Sequence, residues 1–224
     1  MTSGPAYGSM LFMAAKKKSA LKNWQVLQSK ITYGDRWLRL RTDQCETPRG
    51  HILETYHVIE MPTWVNVIAV TEQHQVVLVR EYRHGAGRVV LGLPSGTQEA
   101  SERSAAVTTR RELREETGYR GGVYFGLGSY YANPATQTNR VHSFLALGVQ
   151  PGAAQKFDLS EDIEVVLMDF TDFMAAALGG KLELQGLHLS ALALALGLIS
   201  TGQNPRLKAL AQKLPLAQRV KRKS

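Results

Sequence analysis

The 224-residue chain is 44% hydrophobic and carries 27 lysine and arginine residues against 19 aspartate and glutamate residues, which suits one soluble domain with an extension. Its single cysteine, Cys45, excludes an intrachain disulfide and a Cys-x-x-Cys metal motif, so we expect a reducing, cytoplasmic compartment. The longest apolar stretch, residues 187–199, is shorter than the roughly 20 residues of a membrane span, so we expect a buried helix there and no membrane partner.

The formal charge of +8 comes from the two ends of the chain. Residues 1–22 contain four lysines, residues 206–224 contain seven lysines and arginines, and neither segment contains an acid. The body between them is slightly acidic, with 16 basic and 19 acidic residues. We therefore expect a loose leader at 1–22 and a solvated basic tail at 205–224. Nucleic-acid or membrane contact by these ends is the minor alternative.

Residues 24–83, which follow the leader, show strand patterns. Residues 24–60 form short alternating segments separated by Gly34-Asp35 and by Pro48-Arg49-Gly50, which is typical of an antiparallel meander. After a break at Pro62, the sequences VNVIAV and QVVLVREYR flank a polar turn. Continuous apolar runs of this kind predict strands that are buried on both faces.

The second half of the chain mixes helices and strands. Residues 104–117 are rich in alanine, arginine, leucine and glutamate and precede Gly118, a pattern that predicts a helix with a glycine stop. Further strands are expected at 122–131, 139–148 and 162–169, and further helices near 170–178 and 187–200. Because helices and strands do not alternate regularly, the order favours an α+β fold with a mixed sheet over a doubly wound sheet.

The predicted helix 104–117 carries three glutamates on one face. Glu112, Glu115 and Glu116 are spaced i, i+3 and i+4, which brings their carboxylates together. A solvated charged face, with Arg111 paired to Glu115, is the alternative. The loop LPSGTQEASE leads into this helix. Clustered oxygen ligands of this kind suit hard cations such as magnesium or manganese, which keep open positions for phosphate oxygens.

The same segment resembles the Nudix box, G-x5-E-x7-R-E-U-x-E-E-x-G-U, where U is a bulky apolar residue. The matching residues are Gly96, Glu102, Arg111, Glu112, Leu113, Glu115, Glu116, Gly118 and Tyr119. Eight residues instead of seven separate Glu102 from Arg111, and we expect the extra residue to lengthen the loop before the helix. The resemblance implies a Nudix α/β/α sandwich with a mixed sheet, extended by an N-terminal antiparallel sheet.

The resemblance also implies a role for each motif residue. Metal binding falls to Glu112, Glu115, Glu116 and the carbonyl of Ser95, catalysis to Glu115 with Arg111 holding it in place, and structural support to Gly96, Glu102 and Gly118. The implied cofactor is magnesium, with manganese as the alternative. The metal would neutralise the diphosphate and lower the pKa of the attacking water.

Outside the box, residues from about Trp24 to about Ile199 are similar to the ADP-ribose pyrophosphatase branch of the nucleoside diphosphate sugar hydrolases. The similarity lies in the N-terminal strands, the Tyr82-Arg83-His84 segment and Pro134, which stands 16 residues after Gly118. It implies hydrolysis of ADP-ribose to AMP and ribose 5-phosphate. The Ser-Pro-Gly of that branch is Asn133-Pro134-Ala135 here, so other nucleotide sugars such as GDP-mannose remain the alternative.

The branch further implies a homodimer in which N-terminal strands at 23–62 reach across to the partner, and a catalytic domain at 63–204. An aromatic residue of these strands would stack on the base. The candidates are Trp24, Tyr33 and Trp37, of which we select Trp37, and ordinary sheet packing is the alternative.

Four further expectations complete the proposed site. Arg80 and Arg83 would clamp phosphate or ribose, with structural ion pairs to Glu81 or Glu99 as the alternative, and Pro134 would contact substrate. Glu161 would be the catalytic base, with Asp162 and Glu164 as alternatives. His142 and His188 are expected to be packing or surface residues. A non-catalytic Nudix module that binds a nucleotide or RNA through the basic ends is the competing hypothesis.

Overall fold

The computed structural model describes residues 21–35, 38–156 and 162–214. The chain divides into two compact units, Met1–Val58 and Ile59–Ser224. The strands are β1 (Gln25–Gly34), β2 (Arg39–Glu46), β3 (Ile52–Glu60), β4 (Trp64–Thr71), β5 (Gln75–Arg83), β6 (Arg88–Gly92), β7 (Ser95–Thr97), β8 (Tyr119–Tyr131), β9 (Arg140–Pro151) and β10 (Ile163–Asp169). The helices are α1 (Ala105–Thr117), α2 (Phe170–Leu178), α3 (Gly186–Thr201) and α4 (Pro205–Ala211), with a short 3-10 helix at His84–Ala86.

The N-terminal unit contains a three-stranded antiparallel sheet in the order β1-β2-β3, which confirms the predicted meander. Strand β1 pairs with β2, and the Ser29 hydroxyl donates to the Asp43 carboxylate at 2.6 Å across the pair. Asp43 also accepts from the Arg41 Nε at 3.0 Å. Asp43 and Cys45 are buried on β2, whereas every residue of the edge strand β1 is exposed.

The second unit is built on a mixed sheet with the strand order β10-β5-β4-β9-β8. The pair β4–β9 is parallel and the other strand pairs are antiparallel. Two short strands lie beside this order, since β6 pairs with β5 and β7 pairs with β4. Neither short strand was predicted from the sequence. The strand β7 carries the loop that leads into α1.

Helices cover both faces of this sheet, as a sandwich requires. On one face, Val67 and Ala69 of β4 pack with Leu113 of α1. On the other face, Ile68 and Val70 pack with buried residues of α2, α3 and α4. The alternation along β4 follows the period of two that a strand imposes. It confirms the predicted fold class and the strands buried on both faces.

The helix ends follow their local sequence. Helix α1 stops at Gly118, whose φ of 72° is left-handed and whose N–H bonds to the Arg114 carbonyl. The Asp169 carboxylate caps α2 by accepting from the N–H groups of Thr171 and Asp172. Helix α4 lies inside the segment expected to be the basic tail, and it buries Leu207 and Leu210 in the core.

Across the described ranges, no single helix combines the length and apolarity needed to cross a membrane. The bent pair α3–α4 passes that test only when the two helices are taken together.

Candidate active site

The site forms where β7 lies between β4 and helix α1. Ser95 and Gly96 pair with Asn66 and Val65 of β4, so this turn is fixed to the central strand. The Ser95 N–H donates to the Glu116 carboxylate at 3.0 Å, and Glu116 is only 4% exposed. Helix α1 is therefore tied to the turn by one of its own glutamates.

Gly96 is a glycine for a steric reason. A Cβ atom at this position would collide with the Glu112 carboxylate, which rests directly on the Gly96 backbone. The side chain of Glu112 is 12% exposed. Gly96 thus makes room for the second glutamate at the turn, next to the backbone segment that Glu116 holds.

Arg111 connects the acidic residues of the site. Its Nε donates to Glu102 at 2.9 Å, its Nη1 to Glu115 at 3.0 Å and its Nη2 to Glu112 at 2.8 Å. A further bond runs from Nη2 to the Thr97 carbonyl at 3.1 Å. One guanidinium thus reaches three carboxylates and the β7 backbone, and this fork is a geometry that lysine does not offer.

Glu102 keeps its place despite the extra residue before the helix. Besides Arg111, its carboxylate accepts from the buried Thr108 hydroxyl at 2.8 Å and from the Glu99 N–H at 2.9 Å. The Arg111 guanidinium is the main reason that the pKa of Glu102 falls to about 2. Glu102 therefore still reaches Arg111, although eight residues separate the two in the sequence.

The donor set suits a hard cation by its chemistry, since three carboxylates lie within about one turn of α1. Within the described ranges, however, no three His, Cys, Asp or Glu side chains converge as a ready metal site. Glu112 and Glu115 bond to Arg111, and Glu116 bonds to Ser95. Arg111 thus already offsets part of the charge of two of the three candidate ligands.

The loop that follows β9 is anchored on the same helix. The Lys156 N–H donates to the Glu115 carbonyl at 2.9 Å, and the Gln155 side chain donates to the Glu116 carbonyl at 2.7 Å. The expected base, Glu161, lies outside the described residues. Residues 155 and 156 of this loop therefore lie next to the last turn of α1, which carries Glu115 and Glu116.

The alternatives to Glu161 lie at the start of β10. Asp162 is exposed, and Glu164 pairs with Arg80 at 2.8 Å. Arg83 pairs with Glu81 at 2.6 Å, and its Nε is buried without a partner in the described part of the chain. Arg80 and Arg83 thus pair with acidic residues of β5 and β10. In the described contacts they do not join the Arg111 cluster, which consists of Arg111, Glu102, Glu112 and Glu115.

The remaining predicted residues are dispersed. Pro134 is exposed in the loop between β8 and β9. In the N-terminal unit, the Trp24 ring meets Tyr56 edge-on at 5.8 Å, and the Tyr33 hydroxyl donates to Asp35 at 2.9 Å. Trp37 lies outside the described residues.

Sequence reasoning missed three contributors to the site: Thr108, Gln155 and the turn-supporting role of His188. His188 is 2% exposed, and its Nδ1 accepts from the Leu93 N–H at 3.3 Å, just before the Ser95–Gly96 turn. Burial, with Arg83 adding to it, lowers the pKa of His188 to about 4. The sequence pattern gave no signal for the contacts of Gln155 and His188.

A family model described as the NUDIX domain matches residues 62–184, and one described as the nucleoside diphosphate sugar hydrolase N-terminal domain matches residues 24–59. The chain is 29% identical over 147 residues to a methanol dehydrogenase activator of Bacillus methanolicus, covering 66% of this chain and 78% of the relative. It is 27% identical over 159 residues to an ADP-ribose pyrophosphatase of Bacillus subtilis, covering 71% and 81%.

The crystal structure of an ADP compounds hydrolase superposes with a TM-score of 0.71 at 21% identity, covering 83% of this chain and 100% of that one, which is a likeness of fold. The NUDIX match spans more than half of the chain and contains the entire Arg111 cluster. Nudix hydrolases generally use divalent metals. The chain therefore belongs to the Nudix family and is a hydrolase that acts on pyrophosphate bonds.

Proposed function

We propose that this Nudix hydrolase splits the pyrophosphate bond of a nucleoside diphosphate linked to a sugar, with ADP-ribose as substrate and AMP and ribose 5-phosphate as products. The main support for this proposal is that the Ser95–Gly96 turn contacts both Glu116 and Glu112 of α1 and so holds them side by side. The match to a nucleoside diphosphate sugar hydrolase N-terminal domain supports the sugar-linked substrate class. A relative named ADP-ribose pyrophosphatase supports the choice of ADP-ribose.

Glu112, Glu115, Glu116 and the Ser95 carbonyl would hold magnesium, or manganese in its place. A divalent ion there would supply charge neutralisation for the diphosphate and a bound water of lowered pKa. Arg111 positions Glu112 and Glu115, since its guanidinium bonds to both.

The other assigned roles are also proposals. Glu161 would act as the base, supported by the anchoring of its loop on α1 through Lys156. Arg80, Arg83, Trp37 and Pro134 would contact the substrate. The family match to the N-terminal strands supports a homodimer, and the buried Cys45 thiol is consistent with a cytoplasmic location.

The direct test is incubation of the full chain with ADP-ribose and magnesium. Release of AMP and ribose 5-phosphate in equal amounts is expected. If ADP-ribose stays intact while GDP-mannose or another nucleotide sugar is cut, the substrate assignment moves to that compound. If no nucleotide sugar is cut with either magnesium or manganese, the proposed function is wrong, and the non-catalytic hypothesis gains support.

The metal-site assignment is tested with Glu115→Gln and Glu116→Gln. Each variant keeps a hydrogen-bonding side chain but removes a charged ligand, so we expect turnover to fall by roughly a hundredfold or more. Glu72→Gln is the matched control, because Glu72 is an exposed acid in the turn after β4, at the end of that strand remote from Val65. Full activity in both site variants would remove these glutamates from the mechanism.

A further inference from the structure

Four side chains at the paired ends of β8 and β9 form a polar and aromatic surface, which we name the hairpin platform: Ser129, Tyr131, Arg140 and His142. Tyr131 is paired with Arg140, and Ser129 with His142, across the two strands. The Arg140 guanidinium lies 4.6 Å from the centre of the Tyr131 ring. Its Nε donates to the Ser129 hydroxyl at 2.8 Å, and its Nη2 donates to the Ser129 carbonyl at 2.9 Å.

The platform lies on the same face of the sheet as the carboxylates of α1. Cross-strand partners point their side chains to one face, and the register links Gly96 to Val65, Val65 to His142, and His142 to Ser129. Gly96 carries the Glu112 carboxylate on this face. Two strand spacings separate the Cα atoms of Gly96 and His142, which amounts to about 10 Å.

A diphosphate at the carboxylates would therefore end short of the platform. The group attached to the diphosphate would reach it, because one sugar unit extends several ångströms beyond the phosphorus atom. The hairpin platform thus lies at a distance that the substituent on one phosphate can span.

The chemistry of the platform suits hydroxyl groups. Arg140 has five N–H donors, and the described contacts use two of them, both on Ser129. Tyr131 is 55% exposed. Burial and the charge of Arg140 lower the pKa of His142, so at neutral pH its ring is uncharged. Its Nε2 lies 3.3 Å from the Ser129 hydroxyl, and its Nδ1 is the second hydrogen-bonding atom of the ring.

A stacked base fits this surface less well than a sugar. Arg140 already covers one face of the Tyr131 ring, and Arg140 itself is fixed edge-on by Ser129. What the platform presents is a set of donors and acceptors at several angles, which matches the several hydroxyl groups of a sugar.

We propose that the hairpin platform binds the sugar that is joined to the diphosphate on the side away from the nucleoside, with Arg140 as its main hydrogen-bond donor. This inference rests on the proposed function and adds the residues that recognise the sugar half of the substrate.

The experiment compares Arg140→Met with Arg110→Met. Arg110 is a matched control, since its guanidinium also lies over a tyrosine of β8, 4.2 Å from the Tyr124 ring centre. For each variant we would measure kcat and KM with ADP-ribose, and the inhibition constant of AMP. Arg140→Met should raise KM about tenfold, the equivalent of one charge-assisted hydrogen bond, with little change in kcat or in AMP inhibition. Arg110→Met should leave all three values near those of the wild type.

The outcomes separate the alternatives. A rise in both KM and the AMP inhibition constant would place Arg140 on the nucleoside side and overturn the proposal, as would an unchanged KM. If Arg140→Met does not fold, Ser129→Ala carries the same test, because it removes the hydroxyl that holds the guanidinium. A wild-type chain that leaves ADP-ribose intact contradicts the proposed function, whereas wild-type turnover with an unaltered KM in Arg140→Met contradicts the platform alone.

Discussion

His188 shows how one buried side chain supports the active-site turn from the far side of the sheet. Its Nδ1 accepts from the Leu93 N–H, so this ring nitrogen has to be unprotonated in the folded state. The His188 ring also lies against Gly92, where an added Cβ would meet it at 2.9 Å. A charged imidazole here would lose its hydrogen bond and would face Arg83 in a buried setting.

This geometry predicts a pH-dependent stability. The pKa of His188 is about 4 when folded, below the ordinary value of 6.5, so its contribution is complete above about pH 6.5 and is lost as pH falls towards 4. The loss should approach about 3 kcal/mol in the free energy of unfolding, measured by urea titration at several pH values. His188→Gln keeps an acceptor without a titrating proton and should flatten this slope.

His51→Gln is the control for that series, because His51 is exposed on the loop before β3. It should retain the wild-type slope between pH 6.5 and 4. A wild-type chain with constant stability over this range would contradict the assigned role of His188.

At the residue scale, the sequence predicted the acidic partners of Arg111 only in part. The i, i+4 spacing indicated the Arg111–Glu115 pair, whereas the family resemblance gave Glu102 a structural role without naming Arg111 as its partner. The bond from Thr108 to Glu102 was not predictable, because it depends on how the longer loop folds back on α1. A contact of that kind is set by tertiary geometry and leaves no periodic signal.

At the scale of elements, the β7–α1 unit defines the site. The strand is only three residues long, yet it pairs with β4, holds Glu116 through Ser95 and accepts Arg111 at Thr97. A strand this short has no usable hydrophobic period, which is why β7 escaped prediction while α1, with its composition and glycine stop, did not. The five-residue β6 was missed for the same reason.

Gly96→Ala tests the close contact in this unit. The new Cβ would displace the Glu112 carboxylate, so we expect turnover to fall by roughly a hundredfold, as for other misplacements of about 1 Å. Circular dichroism and a thermal melt should show that the fold persists. Gly85→Ala is the control, since a Cβ at Gly85 meets no atom within 4 Å. Wild-type turnover in Gly96→Ala would show that the Glu112 position is not needed.

At the scale of the whole molecule, most strands of the mixed sheet were predictable from the sequence, whereas the order in which they pair was not. Successive residues of β4, such as Val67 and Ile68, point alternately into two cores that helices cover. A continuous apolar run of this kind predicts a central strand. The pairing of β4 with β9 joins residues more than 70 positions apart, which no local pattern records.

The proposed homodimer is testable through β1. This edge strand exposes Val26, Ile31 and Tyr33 by 54%, 44% and 53%, and unpaired edges with apolar side chains favour association. Light scattering should give twice the 24.7 kDa of one chain. Ile31→Lys should shift the mass towards the single chain, whereas Leu178→Lys, at an exposed position of α2, should not. A monomeric wild type would contradict the proposal.

The contacts of Arg111 with three carboxylates have a consequence for the metal-free state of the proposed site. Because the Arg111 guanidinium contacts Glu102, Glu112 and Glu115, it offsets part of their negative charge within the fold. Chelators should then stop turnover without unfolding the protein, in contrast to small domains whose folding depends on their metal. Arg111 would keep the glutamates in place whether or not a metal is bound.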